Sequence, residues 1–326
     1  MKEFIKYFLG AGTQEEFSNF TAAHFLPILV AAFGVFLIYR FREQLRTCKR
    51  ESTLRQGLAF ALIITEMSYF WRLVAMPELG ANPVDHLPIT VCGWAVVFSS
   101  YMLVGKSQFL FDIAYFWQLC GSVFALITPT VITYTGPTRF RYYQFWAEHL
   151  LGYLAVFYMI FVHGMRPRVK SAVRAYIALA CLAVVAFFAN RIIGPGANYL
   201  FMARPEDTPS VLDILPPNFA LRLVVMAGVI TLMFFLAYLP WYLKDRKAKK
   251  SRKGFSGNEK AFGQSMTAPT RATHQCHVIA RSEATRQSPG TILRPHRHRC
   301  RGNTLPGDSH GRHSRPRNDM IFTWLR

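Results

Sequence analysis

The sequence predicts an all-α fold: a polytopic membrane helical bundle of about seven transmembrane helices with a disordered basic C-terminal tail. Three observations predict it. Apolar runs of the ~17–25 residues that a helix needs to cross hydrocarbon recur through residues 1–243. Lys and Arg gather in alternate loops between those runs. Beyond Leu243 the composition changes: residues 244–326 hold 19 Lys and Arg against 5 Asp and Glu, or +14 of the chain's net +20, and no spanning run. The basic balance therefore describes the tail and says little about the membrane domain of residues 1–243.

The spans follow in order. The first covers 20–39 and the second 56–75. The third, 87–104, is entered through Pro88, which suits a first helical turn. The fourth, 109–128, stops at Pro129. The fifth, sixth and seventh cover 145–163, 172–192 and 219–243. The N-terminus does not read as a secretory signal, because a short apolar stretch after Lys2 and Lys6 gives way to Glu15, Glu16 and Ser18. Insertion then falls to the first span. The six cysteines, Cys48, Cys92, Cys120, Cys181, Cys276 and Cys300, form no disulfide framework.

Loop charge predicts the orientation. The first loop carries Arg40, Arg42, Arg46, Lys49, Arg50 and Arg55. The third carries Lys106, the fifth Arg166, Arg168 and Lys170, and the seventh span is followed by Lys244, Arg246, Lys247, Lys249 and Lys250. The second loop has Glu78 and Asp85 and no Lys or Arg. The fourth, with Arg139 and Arg141, fits least well. Positive loops face the cytoplasm, so a multi-pass cell-membrane protein is expected with its N-terminus outside and its tail inside.

The sixth loop, 194–218, is the longest. Its Ser210-Val211-Leu212-Asp213-Ile214-Leu215 reads either as a headgroup-level surface segment or as a plain connector. In the tail, His274, Cys276, His277, His296, His298 and Cys300 invite a zinc reading, but their spacing matches no ordinary structural site, and no metal is assigned. No specific nucleic-acid partner is assigned to its arginines either. The stretch from His277 to Ser288 resembles translated bacterial intergenic repeats, and the preferred reading is read-through sequence without a function of its own.

Ionisable groups inside spans are costly, which makes them functional candidates. His24, Cys92, His149 and Arg222 fall within about two turns of the outer ends of their helices, Arg72 lies toward the same side, and Glu66 and Gln118 lie nearer the middle. His163 and Asp112 sit at inner ends and read as interfacial. Plainer readings stand beside these. Cys92, Cys120 and Cys181 fit as small buried hydrophobes. Glu66 and Arg72 fit as an internal ion pair or as partners of neighbouring helices. His24 and His149 fit as interhelical hydrogen-bond partners. Against them stands the combination: a thiol and an imidazole at matching depth, able to form a Cys–His pair, with Arg72 or Arg222 favouring the thiolate or holding a lipid phosphate.

Several motifs carry a resemblance. They are Phe17-Ser18 with His24, then Glu66, then Leu87-Pro88-Ile89-Thr90-Val91-Cys92. Further along come the run from Gly121 to Pro129, Phe145-Trp146-Ala147-Glu148-His149, and Gly196-Ala197-Asn198-Tyr199-Leu200-Phe201. In order and spacing the chain resembles the YwaF-like integral membrane family, whose animal relative is the transmembrane-protein-164 acyltransferase. The resemblance runs from about Phe17 to Leu243 and is absent from the tail. It implies a lipid acyltransferase in which Cys92 is the nucleophile and His149 its base. More distant relatives are membrane hydrolases with a Thr–His pair, so fold transfers more safely than reaction.

The expectation is a membrane enzyme that moves an acyl chain between glycerolipids through a Cys92 thioester. Membrane phospholipids or lysolipids are its partners, and no cofactor is needed. Gln118, Asn198 or Thr90 could donate to the oxyanion. His24, Glu66, Arg72, Gln118, Asn198 and Arg222 are the candidate substrate-binding residues. The alternative is a non-catalytic heptahelical transporter or receptor using the same polar cluster as a ligand site.

Overall fold

The computed structural model describes residues 1–12, 17–129, 135–194, 196–204 and 214–265, with the side chains of 83, 85 and 250–265 outside the description. Among these residues there are helices and no strand. Ten α-helices follow in order: α1 Lys2–Leu9, α2 Ala22–Arg40, α3 Arg42–Thr47, α4 Glu51–Ala75, α5 Val91–Gly105, α6 Gln108–Phe116, α7 Ser122–Ile127, α8 Phe140–Phe161, α9 Val169–Ile193 and α10 Phe219–Ser265. A π-helical turn, Trp117–Gly121, joins α6 to α7 into one continuous rod.

Each of the seven predicted spans coincides with one of these rods. Five are long and apolar enough to cross a membrane: α2, α4, the α6–α7 rod, α9, and α10 as far as Lys249. The apolar α5 has 15 residues, so it spans about 22 Å against the ~30 Å of a hydrocarbon core. α8 has the length, with 22 residues, but carries Arg141, Gln144, Glu148 and His149 in its first half. Large apolar side chains stand exposed along the outer faces, among them Leu29, Val30 and Phe33 of α2, Val184, Val185 and Phe188 of α9, and Val224 and Leu232 of α10. A belt of that extent suits lipid and not water.

The α6–α7 rod is the central element, with 56% of its apolar window buried against 11% in α2, α4, α9 and α10. Around it the core gathers Leu62 of α4, Val96, Met102 and Leu103 of α5, Phe111 and Phe116 of α6, Val156 and Met159 of α8, and Phe234 of α10. Local chemistry sets the helix ends. Ser107 caps α6 by accepting the Leu110 N–H, and Arg55 of α4 donates to the terminal carbonyls of Leu103 and Val104, closing the C-terminus of α5.

Several features differ from the sequence expectation. α1 and α3 fall outside the predicted spans. α1 is held by Arg139, which donates to the Tyr7 and Ala11 carbonyls and lies over the Tyr7 ring. α8 begins at Phe140, five residues before the expected start. Arg139, the loop residue that precedes α8, is buried, and the Arg141 side chain inside α8 is only 13% exposed, so both charges face the protein interior and not solvent. That explains why the fourth loop fits the charge pattern least well. α10 runs on from Leu243 to Ser265 before the description ends. The surface-segment reading of 210–215 falls largely on residues 205–213, and the tail's His and Cys residues fall on 266–326, both outside the described residues.

Candidate functional site

Cys92 is the second residue of α5. A turn at Pro83–His86 and then Pro88 lead into it, and Thr90 caps the helix by accepting the Gly93 N–H at 3.1 Å. Gly93 leaves room for a neighbour, since a Cβ there would lie 2.8 Å from Glu66 Oε1 and 2.9 Å from Thr90 Oγ1. The Glu66 carboxylate of α4 therefore rests against the first turn of α5. Because α5 is short, that turn lies below the membrane surface when the opposite end sits at the interface.

His149 faces it from α8. The imidazole is buried, with Nδ1 2.8 Å from the Phe145 carbonyl oxygen one turn earlier. A nitrogen beside a carbonyl oxygen must carry the hydrogen, so Nε2 keeps the lone pair. The Cys92 side chain is among the groups that act electrostatically on this ring. Thiol and imidazole, placed at matching depth by the sequence and paired by the family resemblance, are thus neighbours, and the histidine is in the tautomer that can accept a proton.

Glu66 has no ion pair to Arg72 among the described residues; its charged neighbours are Glu148, Arg141 and His149. Six residues along one helix is about 1.7 turns, which points the two side chains in different directions. Glu148 is buried beside His149 and accepts from Gln144 Nε2 at 3.0 Å. Gln144 in turn receives a hydrogen bond from Arg141, whose guanidinium is 3.9 Å from Glu148 Oε2 and covers the Tyr69 ring. The Tyr69 hydroxyl meets His86 Nδ1 at 2.7 Å. A polar file therefore runs from the Pro83–His86 turn through Tyr69, Arg141 and Glu148 to His149 and Cys92.

Gln118 reaches the same region from the π turn. It is buried, and its Oε1 accepts from Ser122 at 3.0 Å, while Nε2 has no hydrogen-bond partner among the described residues. A Cβ on Gly152 of α8 would overlap the Gln118 amide, so the glycine makes space for it one turn beyond His149. On the other side, a Cβ on Gly121 would lie 3.0 Å from Val91, the residue before Cys92. π turns of this kind occur often at functional sites.

Of the remaining candidates, His24, Asn198 and Arg222 are engaged elsewhere. His24 is buried with both ring nitrogens in use: Nδ1 accepts the Phe20 N–H at 3.0 Å, and Nε2 donates to the Leu126 carbonyl at 2.7 Å, tying α2 to α7. Arg72 borders the polar file: Nη1 reaches the Leu9 carbonyl at the end of α1, 3.3 Å away, Nε has no partner among the described residues, and Tyr69 and Arg141 are its neighbours. Asn198 accepts from the Ala203 and Arg204 amides and donates to the Arg204 carbonyl, closing its own loop. Arg222 is fully buried and donates to the Pro216, Phe201 and Leu215 carbonyls, stapling the sixth loop onto α10. Glu148, Arg141 and Gln144 were missed in the sequence reading. Their signal is the spacing of three and four residues, which aligns the three with one another along one side of α8, next to His149 in sequence.

Two cavities lie away from this cluster. One, of about 480 Å³, is apolar and lies between α9 and α10 beside Phe187, Phe188 and Phe219. The other, of about 570 Å³, is lined by Arg166, Arg168, Val169, Lys170, Tyr238 and Asp245.

Among known proteins, the chain is 26% identical over 230 residues to an uncharacterized protein of Treponema pallidum (strain Nichols), a match covering 69% of this chain and 90% of the relative. No solved structure matches it. Residues 19–238 match the TMEM164 family. That match takes in α2 to α9 and the apolar part of α10, with Cys92, His149 and Gln118 inside it, and the chain belongs to the TMEM164 family.

Proposed function

We propose that this protein is a membrane acyltransferase that moves an acyl chain between glycerolipids through a thioester on Cys92. The observation that carries the reading is the pairing of Cys92 with His149, whose Nδ1 hydrogen is committed to Phe145 and whose Nε2 is left basic. Cys92 passes its S–H proton to Nε2, and the thiolate attacks the donor's ester carbonyl carbon. The α5 N-terminus, where Cys92 sits, favours negative charge on sulfur. The oxyanion then needs a donor. The Asn198 amide spends its donor on the Arg204 carbonyl, whereas Gln118 Nε2 is a buried donor without a partner among the described residues, so Gln118 takes that role, with the Thr90 O–H, unused by its bond from Gly93, as a second donor.

Collapse expels the lysolipid alkoxide, which takes the proton back from His149, and the acyl chain stays on sulfur. A lysolipid hydroxyl then gives its proton to His149, attacks the thioester and frees the Cys92 thiolate. Water in its place gives hydrolysis. The steps balance without a cofactor. Phospholipids and lysolipids are the partners, entering from the outer half of the cell membrane.

The test is mass-spectrometric detection of labelled acyl groups moving between phospholipids in proteoliposomes, with a search for the Cys92 thioester. Transfer at the wild-type rate in Cys92→Ala would end the covalent mechanism and favour a ligand-binding or transport role. Orientation is tested with fused reporters. One after Leu243 is expected to be cytoplasmic and one in the 194–218 loop exoplasmic, and the reverse would invert the assignment of the site to the outer half.

A further inference from the structure

The basic end of the bundle, opposite the Cys–His pair, holds a cavity of about 570 Å³. Its floor comes from the link between α8 and α9 and the first turn of α9: Arg166, Arg168, Val169 and Lys170. Its wall is Tyr238 and Asp245 of α10. Arg166 is neutralised by Asp245 at 2.6 Å and lies 5.9 Å from the centre of the Trp241 ring. Arg168 and Lys170 are exposed and have no carboxylate partner among the described residues. The cavity therefore carries a net excess of positive charge, with two cations free to meet an anion.

Its surroundings decide which anion. Val169 at the cavity begins a stripe with Val173 and Ile177, spaced by four residues on one face of α9, and these are 63%, 54% and 59% exposed. The stripe runs from the cationic cavity directly into the apolar belt. Tyr238, Trp241 and Tyr242 of α10 stand beside it at the level where aromatic rings favour the headgroup region. An occupant that satisfies both parts has a negative head and an apolar tail.

We propose that this cavity seats the headgroup of one anionic phospholipid, with its phosphate on Arg168 and Lys170 and an acyl chain along Val169, Val173 and Ile177. The site is remote from Cys92 and does not rest on the acyl-transfer reading. It ties the α8–α9 link to α10, so occupancy stabilises the contact between α9 and α10.

The experiment compares the thermal unfolding midpoint of the purified full chain in phosphatidylcholine nanodiscs with and without phosphatidylglycerol. Native mass spectrometry of retained lipid accompanies it. Wild type is expected to keep one phosphatidylglycerol molecule and to unfold at a higher temperature with that lipid present. The Arg168→Gln, Lys170→Gln double variant is expected to bind it about tenfold to thirtyfold more weakly and to lose the shift. The control, Lys49→Gln with Arg50→Gln at the same end of the bundle, is expected to behave as wild type. Equal retention by the double variant, or an equal loss in the control, overturns the proposal. Equal protection by inorganic phosphate in phosphatidylcholine alone also overturns it, since the site would then recognise a free anion and not a lipid.

Discussion

The two ends of the bundle treat buried polar groups in opposite ways. At the basic end the two most buried carboxylates among the described residues, Glu51 and Asp112, are surrounded by donors. Glu51 is met by Arg55 at 3.0 Å, Tyr158 at 3.1 Å and His163 at 2.8 Å, with Lys106 3.7 Å away. Asp112 accepts from Gln108, Ser171 and Arg174 at 2.6–2.7 Å. At the other end Glu66 lies near a second carboxylate, Glu148, and the Gln118 amide nitrogen has no partner among the described residues. A satisfied buried network holds helices together, whereas an under-satisfied one is kept at a cost in stability that binding or chemistry must justify. The contrast distinguishes frame from site more sharply than burial does, because Asp112 and Gln118 are equally buried.

The largest expected effect tests the under-satisfied end. Cys92→Ala and His149→Ala should each lower acyl transfer by roughly 10³-fold or more, with insertion and the unfolding midpoint largely kept. If the two side chains act as a unit, the double variant should be scarcely worse than either single one. Cys92→Ser should also be poor, because a hydroxyl ionises far less readily than a thiol. Cys120→Ala and Cys181→Ala serve as controls near wild type. Rates come from labelled phospholipids in proteoliposomes.

The next effect tests the satisfied end. Asp112→Ala removes the acceptor shared by Gln108, Ser171 and Arg174 and should destabilise the protein by about 3 kcal/mol. That figure lies at the low end for a broken buried pair because Arg174 is 46% exposed and recovers water. Activity per folded molecule should be unchanged, measured as transfer rate against folded protein quantified by size-exclusion chromatography. A catalytic defect without lost stability would erase the distinction between the two ends.

How much of this could be read from the chain varies by feature. The seven rods were legible because hydrocarbon thickness imposes a run length, and α2, α9 and α10 are nearly pure apolar runs. The start of α8 was not, because Arg139 and Arg141 look like loop charges until their carbonyl, amide and aromatic partners are in place. Residue type and depth marked Cys92 and His149 as candidates, and only the family resemblance paired them. His24, Asn198 and Arg222 looked equally promising, yet each is engaged by backbone groups. A main-chain carbonyl is present at every residue, so the sequence gives no mark of which one will be the partner. His163 and Asp112, read as interfacial, sit at the expected end but as members of the Glu51 and Asp112 networks.

A smaller effect separates chemistry from packing at a single residue. Gln118→Met keeps the approximate volume but removes the unpartnered amide. It should lower the transfer rate about 10²-fold, the usual loss for one oxyanion donor. The unfolding midpoint should be unchanged or slightly higher, since a buried donor without a partner is costly to keep. Gly152→Ala should lower the rate too, and it should also lower stability, because the added methyl overlaps the Gln118 amide. A loss of stability in Gln118→Met equal to that of Asp112→Ala would place Gln118 with the frame.

The smallest effect is expected where the chain has left the bundle. The apolar part of α10 ends near Leu243, its spanning window closes by Lys249, and the helix beyond is polar and basic. The buried core draws on α10 through Ile230, Met233, Phe234, Ala237, Tyr238 and Trp241, and Tyr115 of α6 is held by the Ala237 carbonyl at 2.8 Å. All of these lie before Lys244. Truncation from Gly254 onward leaves them intact and keeps Lys244 and Asp245, with their contacts to Trp241 and Arg166. Such a chain should insert, unfold and transfer acyl groups as the full chain does, within about 0.5 kcal/mol and twofold in rate. The comparison is made in the same proteoliposomes and by the same unfolding measurement. A larger loss of stability would show that the basic end extends beyond the bundle, and that residues after Gly254 complete its network.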